Sequence, residues 1–181
     1  PVLGARGCDK AAEFVSFCDA FNIPVLALVN VKGYKQSKCT ERRIAKAAGR
    51  LTYAFANADV PKVTVVIGEA YGSAYVTMNS KSIGADIVYA WPDAKIGMMD
   101  AAAAVKIMYA EEISASDKAA ALISEKAAEY EALQSSAAAA AGRGYVDDII
   151  KADETRQRVI AAFEMLFTKR EGRPSRKHGT V

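Results

Sequence analysis

The sequence has few of the side chains on which catalysis most often depends. Only one of its 181 residues is a histidine, and three are cysteines. His178 lies in the polar C-terminal stretch, so we expect neither a histidine-based catalytic triad nor a histidine-ligated metal site. Cys8, Cys18 and Cys39 are odd in number and lack paired metal spacing, which favours reduced thiols and a cytoplasmic location. Any chemistry must therefore use the backbone, a partner or a cofactor.

Long apolar runs and a strong net charge are also missing. No apolar run approaches the roughly 20 residues that span a bilayer, and no signal-peptide pattern opens the chain. The net charge is only +3, and five of the 24 basic residues lie near the C-terminus. These residues are Lys169, Arg170, Arg173, Arg176 and Lys177. We therefore expect no membrane insertion, no basic face through the fold and no nucleic-acid partner.

The composition is 51% hydrophobic, which is enough to bury the core of one domain or one large lobe. Helical and strand-like patterns alternate along most of the chain. The predicted helices begin at Asp9, Thr40, Asp100 and near Asp153, and the predicted strands cover 25–29, 63–67 and 86–91. This alternation predicts an α/β fold with parallel strands, whose C-terminal loops form a common crevice.

The chain is organised around residues 63–75. Residues 63–67 are nearly all β-branched and show no polar alternation, as in a strand buried on both faces. Gly72, Ser73 and Ala74 then allow a sharp turn into a helix, whose first N–H groups lack intrahelical partners. Aimed at a developing enolate, such donors lower a barrier by roughly 3 to 4 kcal/mol each. The alternative is an ordinary turn between a strand and a helix.

Several other residues have simple structural interpretations. Asp100 is expected to cap a helix rather than transfer protons. Trp91 is expected to anchor the core, and the Met98–Met99 pair to pack in it. Arg143 is expected to be a surface charge or to form an ion pair in a turn.

Six segments together resemble one family. They include Ala70-Tyr-Gly-Ser-Ala-Tyr75, Tyr89-Ala-Trp-Pro92 and Arg143-Gly-Tyr-Val-Asp-Asp148. The others are residues 9–24, 60–64 and 169–179. In order and spacing they are similar to the C-terminal half of a biotin-dependent acyl-CoA carboxyltransferase subunit of the crotonase superfamily. The resemblance is to acetyl- or propionyl-CoA carboxylase β subunits and to glutaconyl- or methylmalonyl-CoA decarboxylase α subunits.

The resemblance implies a ClpP/crotonase-like spiral of ββα units, in which helices wrap a mostly parallel sheet. Residues 1–181 would form the C-terminal lobe, ending in a basic tail at 170–181, and the N-terminal lobe would be absent. The implied function is carboxyl transfer between carboxybiotin and an acyl-CoA, with the isolated lobe inactive. The implied partners are an N-terminal lobe, further copies of the chain and a biotin carboxyl carrier protein.

The resemblance also assigns site residues. Backbone N–H groups at Gly72, Ser73 and Ala74 would form the oxyanion hole. Gly33, Tyr34 and Tyr71 would contact biotin, which arrives on the carrier protein, and the substrate would be a coenzyme A thioester. Met99, Asp100 and Ala101 would form a wall of the crevice.

Two departures from the family pattern leave alternatives open. Ser73 replaces a glycine, and Lys32, Lys35 and Lys38 occupy a loop that is usually neutral. One alternative is a stand-alone crotonase-type hydratase, isomerase or hydrolase, for which Glu69 and Asp100 are the acidic candidates. Another is a non-catalytic assembly lobe, which is favoured if Ser73 closes the oxyanion hole.

Overall fold

The computed structural model describes residues 1–116 and 118–172. Its strands are β1 (Val25–Val31), β2 (Lys62–Tyr71), β3 (Ile87–Ala90), β4 (Lys95–Gly97) and β5 (Asp148–Ile149). Its helices are α1 (Ala5–Ala20), α2 (Lys38–Glu41), α3 (Ile44–Asn57), α4 (Gly72–Thr77), α5 (Ala101–Met108), α6 (Ala110–Ala115), α7 (Ala119–Tyr130), α8 (Ala137–Gly142) and α9 (Thr155–Met165). A 3₁₀ turn (Lys81–Ile83) follows α4, and a π-helical turn (Glu131–Ser135) follows α7. In this part of the chain no helix is long and apolar enough to cross a membrane.

The strands pair in parallel around β2. The order is β1-β2-β3-β5, and β4 pairs with the end of β2 beyond β3. The strand predicted to be central is central, because β2 pairs with β1 on one side and with β3 and β4 on the other. Its residues Val63, Val65 and Val66 are fully buried. The α/β class and the parallel sheet are therefore confirmed, whereas the short strands β4 and β5 were not predicted.

The Asn30 side chain bridges β1 and β2. The register shifts between Val29 and Val31, where the Asn30 side chain accepts a hydrogen bond from the Glu69 N–H at 3.1 Å. A Cβ at Gly68 would lie 2.8 Å from the Asn30 Oδ1. Glycine at position 68 thus leaves room for the asparagine that reaches across from the neighbouring strand.

The prediction that strand 25–29 is covered on both faces was wrong. Val25, Ala27 and Val29 are buried, but Leu26 and Leu28 are 42% and 53% exposed. The strand lies at the edge of the sheet, and within the described residues only one of its faces is covered. An unbroken apolar run cannot reveal from sequence which part of a molecule covers its second face.

Two helix starts also differ from the predictions. Helix α1 begins after Gly4, so Asp9 lies inside it and accepts a hydrogen bond from the Arg43 guanidinium at 3.3 Å. Helix α2 is capped by Ser37, whose Oγ accepts from the Thr40 N–H at 3.2 Å. The prediction that Asp100 caps a helix is confirmed, because its side chain accepts from the Ala103 N–H.

The last helix follows Glu154 and has no side-chain cap from the described residues, so the cap predicted near Asp153 is not formed. In this helix Val159 is buried, whereas Ile160 and the following Phe167 are exposed. The predicted basic tail at 170–181 lies outside the described residues beyond position 172. Just before it, Lys169 is anchored by an ion pair with Asp86 at 2.9 Å.

A buried lysine joins α3 to the central strand. Lys62 is fully buried, and its Nζ donates to the carbonyls of Phe55 (2.8 Å) and Ala58 (2.9 Å) at the C-terminus of α3. The last carbonyls of a helix have no intrahelical donors, and a cation at this end also interacts favourably with the helix dipole. Lys62 therefore caps α3 from the first residue of β2.

We expect Lys62→Met to lower the free energy of unfolding by about 3 kcal/mol, because it leaves buried carbonyls without donors. Chemical denaturation monitored by circular dichroism measures this change. Lys46→Met is the matched control, because Lys46 is exposed on the same helix and should change stability by less than about 0.5 kcal/mol. Equal effects of the two substitutions would contradict the capping role.

Candidate functional site

The site begins where β2 passes directly into α4. Gly72 has a φ of +59°, in the left-handed region. A Cβ there would lie 3.0 Å from the carbonyl oxygen of Met98. Glycine is therefore required both by the backbone conformation and by the close approach of a second segment. The turn places Ser73 and Ala74 in the first helical turn, where N–H groups lack intrahelical acceptors.

Hydroxyl groups hold this short helix in place. The Thr77 Oγ1 donates to the Ser73 carbonyl at 2.9 Å and accepts from the Thr52 Oγ1 at 3.2 Å. The Tyr34 Oη lies 3.2 Å from the same carbonyl and 2.9 Å from the Thr77 Oγ1. Tyr34, in the loop after β1, thus bonds to the carbonyl of Ser73, which carries the candidate donor. Thr52, in α3, bonds to Thr77, which contacts the same carbonyl.

The turn opens on a cavity of about 580 Å³. Its wall includes Gly72, Ser73, Tyr75, Val76, Ser82, Ile96, Gly97, Met98, Tyr130, Gln134, Ala140, Arg143 and Tyr145. Both its volume and its mixed apolar and polar lining are typical of small-molecule sites.

Tyr75 lines the cavity, and its hydroxyl is enclosed in the protein without a hydrogen-bond partner among the described residues. Burial raises the pKa of Tyr75 to about 12, so the phenol stays protonated at neutral pH and can donate a hydrogen bond. Buried polar groups are usually satisfied, so this enclosed hydroxyl, unpaired within the described part of the chain, is an exception next to the cavity.

Gln134, in the π-helical turn, and Arg143, after α8, form another part of the cavity wall. Arg143 donates to the Gln134 backbone carbonyl at 2.9 Å and also to its side-chain oxygen. Lys95 pairs with Glu131 at 2.7 Å, and this hydrogen bond raises the pKa of Lys95. π turns often occur at functional sites. Arg143 is an exposed charge in a turn, as predicted, and it also lines the cavity. Sequence reasoning missed Gln134, because no local pattern links it to Arg143.

Of the residues predicted to form the oxyanion hole and the crevice wall, only some line the cavity. Gly72 and Ser73 line the cavity, whereas the Ala74 side chain lies beneath the turn and is 1% exposed. On the crevice wall, the cavity is lined by Met98 and not by Met99, Asp100 or Ala101. Met98 is 77% exposed, so the prediction that the methionine pair packs in the core was wrong.

The residues predicted to contact biotin lie behind or beside the cavity. The Tyr34 hydroxyl bonds to α4, and the Gly33 carbonyl accepts from the Leu3 N–H at 2.9 Å. Tyr71 is only 4% exposed. Burial, followed by the charges of Glu69, Asp100 and Glu131, raises its pKa to about 12. The half-buried Tyr34 therefore supports the turn through its hydroxyl, and the Tyr71 side chain is buried directly before it.

The cavity wall, as the described residues form it, carries no carboxylate. Glu69 forms an ion pair with Lys32 at 3.1 Å, and Asp100 caps α5. Across residues 1–116 and 118–172, no group of three or more His, Cys, Asp or Glu side chains could hold a metal ion. The lining residues instead offer uncharged hydrogen-bonding groups, namely serine and tyrosine hydroxyls and the Gln134 amide, together with the Arg143 guanidinium.

The chain matches the carboxyl transferase domain family over residues 2–181, and it belongs to this family. It is 44% identical over 178 residues to the methylmalonyl-CoA carboxyltransferase 12S subunit of Propionibacterium freudenreichii subsp. shermanii, covering 98% of this chain and 34% of that protein. It is 48% identical over 180 residues to a putative propionyl-CoA carboxylase beta chain of Bacillus subtilis, covering 99% and 36%. A 44% match to the methylmalonyl-CoA decarboxylase subunit alpha of Propionigenium modestum covers 96% and 34%.

Solved structures agree with this assignment. The transcarboxylase 12S crystal structure superposes with a TM-score of 0.93 at 44% identity, covering 98% of this chain and 34% of that one. The geranyl-CoA carboxylase beta subunit of P. aeruginosa gives 0.80 at 25% identity, covering 98% and 35%. The predicted family and the crotonase-like fold class are confirmed. The chain spans about a third of the length of the relatives that it matches.

The cysteines lie away from the cavity, and we expect them to differ sharply in reactivity. Cys8 and Cys18 are buried and Cys39 is exposed. Burial, with a smaller effect of Asp9, raises the pKa of Cys8 to about 11, so very little thiolate forms at pH 8. With Ellman's reagent at pH 8, one thiol per chain should react quickly and two only after unfolding. Cys39→Ser should remove the fast phase, and a fast phase that survives this substitution would contradict the assignment.

Proposed function

We propose that this chain is the biotin-side lobe of an acyl-CoA carboxyltransferase, which moves a carboxyl group between biotin on a carrier protein and the α-carbon of an acyl-CoA. The observation that carries the proposal is the Gly72 turn, where a helix start faces a cavity whose described wall has hydrogen-bond donors and no carboxylate. The named activities of the relatives, on methylmalonyl-CoA and propionyl-CoA, support the same class of reaction.

The cavity suits a compact bicyclic urea such as biotin. Ser82, Gln134 and Tyr145 bring polar side chains to its wall, and a urea has both donors and an acceptor that can pair with such groups. Val76, Ile96 and Met98 supply apolar surface beside these polar groups. When bound, biotin supplies the ureido nitrogen that carries the carboxyl group.

The role of the chain is to orient the ureido group and to stabilise negative charge on its oxygen. Ser73 lines the cavity, so its N–H is the donor with direct access, and the Ala74 N–H is the next along the same turn. Donors fixed by the backbone need no reorganisation as charge develops, which makes them effective in the transition state. Tyr34 and Thr77 keep the Ser73 peptide in place through its carbonyl.

The acyl-CoA side of the crevice is assigned to a second, N-terminal lobe of a longer subunit. The chain covers only about a third of the length of its relatives, which supports the proposal that residues 1–181 are one lobe of such a subunit. The transcarboxylase 12S crystal structure is of a hexamer assembly, with substrate binding to a multienzyme core. We accordingly infer that the working enzyme is a homo-oligomer that meets its biotin on a separate carrier.

Biotin dependence tests this function. The full-length subunit, assayed with methylmalonyl-CoA and free biotin, should transfer the carboxyl group to biotin, and added avidin should abolish the transfer. The 181-residue chain alone should be inactive, because it lacks the acyl-CoA side. Turnover of an acyl-CoA that ignores both biotin and avidin would instead identify a crotonase-type hydratase, isomerase or hydrolase.

Removal of one backbone donor tests the oxyanion assignment. Ser73→Pro deletes the N–H in the first helical turn, where proline is best tolerated, and should lower kcat by about two to three orders of magnitude. Ser73→Gly keeps the N–H and removes the Cβ, so it should retain full activity. Both variants need an unchanged melting temperature. A well-folded proline variant with normal kcat would refute the donor role and favour a non-catalytic lobe.

A further inference from the structure

The packing of α1 against α3 brings basic side chains together on one face. Two cavities of about 580 and 300 Å³ adjoin there and share Arg43. Their basic lining residues, which we call the basic groove, are Arg6, Lys35, Arg42, Arg43, Lys46 and Arg50. The expectation that no basic face crosses the fold was therefore wrong, because residues far apart in sequence meet in the helix packing.

The charges of the basic groove divide into two sets. Arg43 pairs with Asp9 at 3.3 Å, and Arg50 pairs with Asp9 (3.7 Å) and with Glu13 (3.5 Å). The other four cations have no ion pair within the described part of the chain. They are the exposed residues Arg6, Lys35, Arg42 and Lys46. The basic groove therefore combines two paired arginines with four exposed cations that form no ion pair among the described residues.

This arrangement fits an acidic protein surface better than other anions. A compact phosphate needs donors that converge on one point, but the carboxylates of Asp9 and Glu13 line the larger cavity beside the cations. Single-stranded nucleic acid binds where aromatic rings accompany the cations, and none of the described residues that line the two cavities is aromatic. Carboxylates spread over a protein surface can instead meet separate cations such as Arg42, in the turn before α3, and Lys46, in the first turn of α3.

The basic groove reaches the loop that supports the proposed site. Lys35 lines it, and the preceding residue, Tyr34, bonds to the Ser73 carbonyl on α4. A protein docked at the groove would therefore be held next to the elements that form the cavity. Under the proposed function, the protein that must dock within reach of this cavity is the one that carries biotin.

We propose that the basic groove is the docking surface for an acidic face of the biotin carrier protein. The identity of the partner rests on the proposed function, whereas the acidity of the partner rests on the groove alone. Exposed charges at an interface act mainly on the rate and salt dependence of association. Docking at this surface should therefore affect use of the carrier and not use of free biotin.

The test compares the two forms of biotin in the full-length subunit. Arg42→Glu combined with Lys46→Glu should raise the KM for the biotinylated carrier protein about tenfold, leave kcat with free biotin unchanged, and weaken the salt dependence of the carrier KM. The matched control is Lys151→Glu with Arg156→Glu, which makes the same charge change at exposed positions beside and on α9. This control should keep the carrier KM within about twofold of the unaltered enzyme.

The outcomes separate this inference from the proposed function. An unchanged carrier KM in the groove variant, or an equal rise in the control, would overturn the docking surface while activity with free biotin still supports the carboxyltransferase. If the unaltered enzyme shows no biotin-dependent turnover, the proposed function fails, and direct binding of the carrier by fluorescence anisotropy still tests the groove. Poly-L-glutamate should compete for this binding. Stronger competition by an RNA oligonucleotide of equal charge would overturn the acidic-protein assignment.

Discussion

The positive φ of Gly72 is the constraint on which the candidate site depends. A strand that continued straight past Tyr71 would present only peptide groups paired with its neighbours, whereas the left-handed residue redirects the chain into a helix at once. The carbonyl of Met98 approaches within 3.0 Å of where a Cβ would lie. Gly72 therefore has two effects. Its left-handed conformation turns the chain into α4, and its missing Cβ lets the Met98 segment pack against the turn.

The parts that sequence reasoning predicted correctly are those whose cause is local. A run of β-branched residues before Gly72 predicts a buried strand and a turn, and Asp100 before an alanine-rich segment predicts a cap; both are found. The cap of α1 was misplaced because Gly4 supplies only an extended backbone, without a side-chain bond to recognise. Strands β4 and β5 are too short for a periodic pattern, and pairing with β2 and β3 alone defines them.

The cavity illustrates why a site is harder to predict than the fold around it. Its walls come from α4, β4, the π-helical turn and the segment after α8, which are separated by tens of residues in the sequence. Arg143 has an ordinary appearance in the sequence, and only its bonds to Gln134 make it part of a wall. Likewise, the exposed Leu26 and Leu28 lie in an apolar run that by itself predicts burial on both faces. Local patterns identify what a segment forms, while its neighbours decide what it faces.

The loop after β1 lies between the turn at Gly72 and the basic groove. It is held by the N-terminal segment, because the Leu3 N–H donates to the Gly33 carbonyl and the Lys35 N–H donates to the Leu3 carbonyl, both at 2.9 Å. From this fixed backbone Tyr34 points towards α4, whereas Lys35 lines the basic groove. Adjacent residues of an extended segment face opposite sides, so one short stretch can support the donor turn and present a cation outside. Lys35 therefore adds positive charge to the outer surface of the loop, while Tyr34 bonds inwards to α4.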